Sequence, residues 1–125
     1  MVSVSDIEDK VRNRVADIPT DITDAIIEEY INDAIIDVNN ITGDTISSSS
    51  VDTKYQALLT DMGVISVLRW MVHNSFSLGG EVSINRDSTL RLIKDLEKKV
   101  SEKLKDILTR TQTGVDTTEP ELNLG

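Results

Sequence analysis

One histidine and a file of carboxylates are the side chains with the most capacity for chemistry. His73 is the only histidine. A general base there needs an acid or hydroxyl partner, but Arg69, Trp70, Phe76 and Ser77 flank it one turn away, so it reads as the polar edge of a helix. Glu29, Asp33 and Asp37 recur at steps of four and share one helix face, an arrangement that invites a divalent cation. Di-iron bundles, however, join inward glutamates to a Glu-x-x-His pair, and none is present. These acids are expected to point away from the apolar rows and to form a solvated face with weak divalent binding at most. Asp44–Asp52 lacks the ligand alternation and closing glutamate of an EF-hand loop. Gly79-Gly80 lacks the spacing and lysine of a phosphate loop, and Ser47–Ser50 has no paired base. We therefore expect no enzyme activity, no bound metal and no cofactor.

The elements that would position these residues are helical. From Tyr55 to Phe76 the chain is apolar almost all the way round a helix, through Leu58, Leu59, Met62, Val64, Ile65, Val67, Leu68, Trp70, Met71 and Val72. Such a helix is a bundle hub, a subunit contact or a membrane span. Ser66, Arg69 and His73 interrupt it too soon for a span, which leaves a hub with apolar surface to spare. Trp70 suits either plain core packing or a contact anchor beside Arg69.

Three further helices flank the hub. Ser5-Asp6-Ile7-Glu8 reads as a capping box, followed by a stripe at Ile7, Val11, Val15 and Ile18 that Pro19 ends. Thr20 or Asp21 is expected to cap a second helix with rows Ile22, Ile26, Tyr30, Ala34, Val38, Ile41 and Ile27, Ile31, Ile35. Glu28, Glu29, Asp33 and Asp37 take its other side, and Gly43 its left-handed end. Gly43–Asp52 reads as a surface loop whose serines are potential caps for the hub, and Ser77–Asn85 as a second break. A last helix begins near Asp87 or Ser88 and carries a seam at Leu90, Ile93, Leu96, Val100, Leu104, Ile107 and Leu108. On its other faces Asp95 with Lys99, and Lys98 with Glu102, stand one turn apart. The pattern stops near Arg110, leaving 109–125 as a tail too poor in apolar residues to order itself. The expectation is an all-α, four-helix bundle-like domain over 1–108 with a flexible C-terminal tail.

The 125 residues include no cysteine and carry a net charge of −9. Disulfides and thiolate metal sites are thereby excluded. Asp6, Glu8 and Asp9 stand where a signal peptide would be basic and then apolar, so secretion by that route is not expected. Residues 1–62 hold 13 acids and 4 bases, residues 63–108 hold 6 acids and 8 bases, and residues 109–125 hold 3 acids and 1 base. No segment supplies the strongly basic face that duplex DNA binding requires. Unequal halves do suit copies meeting front to back, while the plainer reading is acidic faces turned to water.

Read in this order, the parts resemble the head-to-tail connector (adaptor) proteins of tailed bacteriophages. The resemblance rests on Ile18-Pro19, Ile26-Ile27-x-x-Tyr30-Ile31-x-x-Ala34-Ile35, Asn40-Ile41-Thr42-Gly43, the apolar helix Tyr55–Phe76, Gly79-Gly80 and the amphipathic helix from Leu90 with its polar tail. It implies a structural virion protein of the neck, assembled in the host cytoplasm as a homo-oligomeric ring, commonly of twelve copies, beneath the portal. Such a ring extends the DNA exit channel and docks a neck stopper or tail completion protein, without specific DNA binding and without a membrane. It also implies that the tail reaches the portal, which maps onto Arg110, Val115, Leu122 and Leu124. Ser77–Asn85 or Gly43–Ser50 would then meet the tail-side neighbour. Arg69, Trp70 and Phe76 are the candidate subunit contact, and Glu28, Glu29, Asp33 and Asp37 the candidate channel-lining acids. The alternatives are a non-viral helical protein-interaction module and, more remotely, a carboxylate metalloprotein.

Overall fold

The computed structural model describes residues 2–74 and 86–113, with side chains through residue 109. Four helices follow one another, α1 (Val4–Arg14), α2 (Asp24–Thr42), α3 (Thr53–His73) and α4 (Arg86–Thr113). Among the described residues the only β pairing is two isolated bridges, Val2 with Val51 and Ser47 with Ser50. The fold is all-α, as the periodicity requires.

The starts of α1 and α2 differ from the sequence expectation by a local competition. The capping box of α1 is built by Ser3 and Asp6, not Ser5 and Glu8. The Ser3 backbone N–H donates to the Asp6 carboxylate at 3.0 Å, and the Asp6 N–H returns a bond to Ser3 Oγ at 3.4 Å. Glu8 is instead buried, where Arg12 Nε donates to its carboxylate at 2.6 Å. Helix α1 closes at Val15, before Pro19 can act, because Asp17 turns the chain at φ +55°, a left-handed conformation that a short acidic side chain tolerates. The Ile22 N–H then bonds the Pro19 carbonyl, which places Thr20 and Asp21 inside a turn. The α2 cap therefore falls to Thr23, whose Oγ1 accepts from the Ile26 N–H. Arg12 locks this corner, since its Nη2 reaches Asp24 at 2.6 Å and the Ile22 carbonyl at 3.2 Å.

Helix α2 buries Ile27, Ile31, Ala34, Ile35 and Val38 and ends at Gly43, with φ +78°. Ile41, expected in an apolar row, is 51% exposed, as is Ile36 at 57%. The following loop is pinned rather than loose. Asn39 exchanges two hydrogen bonds with the Ile46 backbone, and the Tyr55 hydroxyl donates to Asp44 at 2.5 Å. The loop serines do not cap the hub, whose first turn begins after Asp52 without any side-chain cap.

Helix α3 packs against all three others and buries twelve of its residues, polar Thr60 and Asp61 among them. Gly63 is what allows the close crossing. A Cβ there would stand 2.8 Å from a Val11 methyl and 3.4 Å from Ile31, so α1, α2 and α3 meet at the one point that has no side chain. Helix α4 rests mainly on α3, with Ile93 and Leu96 buried and Val100, Leu104 and Ile107 partly so. Leu90, placed on the seam, is 40% exposed. Helical backbone continues to Thr113, beyond the last apolar seam position at Leu108, because no breaker precedes Gly114.

Candidate functional site

Because α4 leans on α3 and scarcely touches α2, the described residues leave the bundle open along one side. The opening is a trough of two hollows, of about 400 and 460 Å³, that share Tyr30, Ser66 and Arg69. One end is floored by Ala34, Met62, Ile65, Val100 and Leu104. The other end runs past Trp70 and His73 to Arg86 and Leu90. Residues 62 to 73 of α3 form its bed, a length of roughly 17 Å at the rise of an α-helix.

Charge is distributed unevenly around the trough. Arg69 pairs with Glu97 across it and so neutralises one wall. Asp33 and Asp37 line the α2 wall, are exposed, and close no ion pair among the described residues. Their exposure fits the solvated face expected of the helix-two acids, and the rim on which they stand borders apolar surface. Glu29 is exposed and Glu28 half-buried, and neither lines either hollow. Burial, seconded by the charge of Glu29, pushes the Tyr30 hydroxyl above its ordinary range.

The proposed contact residues divide. Trp70 is half-buried, packs against the core and also lines the trough. Arg69 is mostly exposed and engaged by Glu97. Phe76, Val115, Leu122 and Leu124 lie outside the described residues, together with the Arg110 side chain and Ser77–Asn85. His73 is exposed on the last turn of α3. Among the described residues no three His, Cys, Asp or Glu side chains converge as a metal site, and no helix is long and apolar enough to cross a membrane.

Sequence reasoning missed the acid at the centre of the molecule. The Asp61 side chain is 5% exposed and receives Arg14 Nη1 at 2.8 Å from α1 and Lys103 Nζ at 2.7 Å from α4. It ties three helices together. Asp61 looks like an interruption of an apolar run, but only the tertiary structure brings two cations to it. Both cations remain about 40% exposed, so the clamp joins a buried carboxylate to solvent-facing bases. Comparison of the chain with known families, with curated proteins and with solved structures returns no match.

Proposed function

We propose that this protein is a ring subunit of the neck of a tailed bacteriophage, a head-to-tail connector that sits beneath the portal and continues its DNA channel. The observation that carries the reading is the open trough. Among the described residues nothing covers an apolar bed bordered by acids that close no ion pair, and a ring offers each copy a neighbour to cover it. Charge supports the same arrangement. Helix α2 holds five acids and no base, whereas α4 holds eight bases and five acids, so adjacent copies can set unlike helices together.

In this reading the DNA path needs a wall that does not retain phosphates, and Glu28 and Glu29, away from the trough, are the α2 acids best disposed to supply it. Asp33 and Asp37 belong instead to the subunit boundary. The C-terminal segment beyond Thr113 is assigned to the portal, and the pinned loop 43–52 to the neighbour on the tail side. Electron microscopy of the purified protein, alone and mixed with the portal of the same phage, tests the assignment. Rings stacked coaxially on the portal are expected. A protein that stays single and leaves the portal bare overturns it.

The same trough would serve a non-viral adaptor that binds one partner helix. That reading predicts a stoichiometric complex with no closed symmetry.

A further inference from the structure

We propose that the polar cleft between α1 and α3, at Lys10 and Arg14, docks the acidic stretch 116–121 of the chain's own segment beyond Thr113. The contact needs neither ring nor portal, so it goes beyond the connector reading and does not rest on it. One consequence does rest on that reading: a free subunit holds its portal-binding segment in this cleft until the portal takes it.

The cleft has a volume of about 480 Å³ and is lined by Lys10, Asn13 and Arg14 of α1 and by Thr53, Gln56 and Thr60 of α3, with one alanine among them. Two cations, two amides and two hydroxyls suit a carboxylate, and no acid is among the described residues that line it. Lys10 Nζ donates to Gln56 Oε1 at 3.4 Å, and Arg14 spends Nη1 on Asp61 at 2.8 Å while its side chain stays 42% exposed. An ammonium has three donors and a guanidinium five, so each keeps N–H groups for a further oxygen. The acids nearby are engaged elsewhere or stand outside the cleft. Asp61 is shared with Lys103, and Asp6 turns its carboxylate back to the Ser3 N–H and hydroxyl. Asp9 and Asp52 flank the cleft without lining it. The complementary charge is in the sequence beyond Arg110, which holds Asp116, Glu119 and Glu121 and no base.

Position selects this cleft over the other hollows. Arg69 meets Glu97 and Asp61 meets Lys103, so α4 runs antiparallel to α3. Thr53 lies about 12 Å back along α3 from Asp61, and Thr113 about 15 Å onward along α4 from Lys103. The chain therefore leaves α4 level with the Thr53 end of the cleft, and Asp61, which holds both Arg14 and Lys103, sets the other end beside α4. At full extension Asp116 can stand about 10 Å from Thr113 and Glu121 about 27 Å. Helices α1 and α4 both pack on α3, so at about 8–10 Å per packed pair they are no more than about 20 Å apart. The near end of the trough sets Asp33, Asp37 and Glu97 against a single arginine, which disfavours an acidic occupant. Its far end, at Arg86, is about 40 Å from Thr113 along α4. The hollow on the outer face of α4 balances Lys98 and Lys99 with Asp95 and Glu102.

The test is zero-length carbodiimide coupling of the full chain, which joins a lysine amine to a carboxylate in contact with it, read by mass spectrometry on an equal mixture of isotope-labelled and unlabelled protein. Links from Lys10 to Asp116, Glu119 or Glu121 are expected, each within one isotope class and ahead of links from these acids to the exposed Lys98 and Lys99. They should fall away at about 1 M salt, where the screening length is about 3 Å. A second readout is cleavage after Glu121 by a glutamate-specific protease. Lys10→Glu with Asn13→Asp, both at exposed positions, should speed that cleavage by about three- to fivefold, with circular dichroism confirming that the variant stays helical. Links spread over the lysines by exposure alone, links of mixed isotope, or a variant cut no faster than the native chain overturn the docking. None of these outcomes bears on the ring, which electron microscopy tests separately.

Discussion

Removing both cations from Asp61 should cost more than the two single losses together. Arg14→Met and Lys103→Met each keep an apolar stem for packing while deleting one charge-assisted bond, of 2.8 and 2.7 Å respectively. Such bonds are worth about 1.5–3 kcal/mol, and the roughly 40% exposure of each cation reduces this to about 1–1.5 kcal/mol per single change. Either single variant leaves the carboxylate one partner. The double variant leaves a carboxylate that is 5% exposed with no cation, a situation that costs about 3–5 kcal/mol. The expected coupling is therefore about 1 kcal/mol or more beyond additivity. Asp61→Asn, which releases both cations to water, should cost less than the double variant. Urea unfolding followed by circular dichroism measures all four, with an unchanged slope confirming that the same surface is exposed. Additive losses, or an Asp61→Asn variant less stable than the double, would refute the reasoning.

Other consequences follow from the same packing. Gly63→Ala should destabilise by about 1–3 kcal/mol despite its better helix propensity, because the new methyl meets Val11 at 2.8 Å, and Val11→Ala in the same chain should return part of that loss in a thermal melt. Leu96→Ala, at one of the two buried anchors of α4, should cost about 2–5 kcal/mol and expose α4 amides to hydrogen exchange ahead of those of α2. The Tyr55–Asp44 bond lowers the Asp44 pKa below 3.8, while burial, with that bond second, raises the Tyr55 pKa above 10.0. The Asp44 contribution is present above pH 3.8 and lost as pH falls through its lowered value; the Tyr55 contribution is present below pH 10.0 and lost as pH rises through its raised value. Tyr55→Phe should accordingly flatten both limbs of the stability profile.

The sequence revealed the helices more readily than their ends. Steps of three and four at Ile7 and Val11, at Ile27, Ile31 and Ile35, and at Ile93 and Leu96 correctly marked buried faces, because burial follows helical period directly. The caps moved by two or three residues because several candidates competed, and the choice between Ser3 and Ser5, or between Thr20 and Thr23, depends on turns that adjoining segments fix. The trough was only partly foreseen. Surplus apolar surface on α3 was legible, but nothing local shows that α4 leaves the α2 side open, or that Asp33 and Asp37 border the gap. Asp61 was illegible for the same reason, since its partners lie 47 and 42 residues away in the chain.

The most direct measurement of the proposed connector role is single-particle electron microscopy of the protein mixed with the portal ring encoded beside it. A closed ring of this chain, coaxial with the portal and with each copy's trough covered by the next, is the predicted image. A portal that remains bare while the protein stays single and folded would contradict the account.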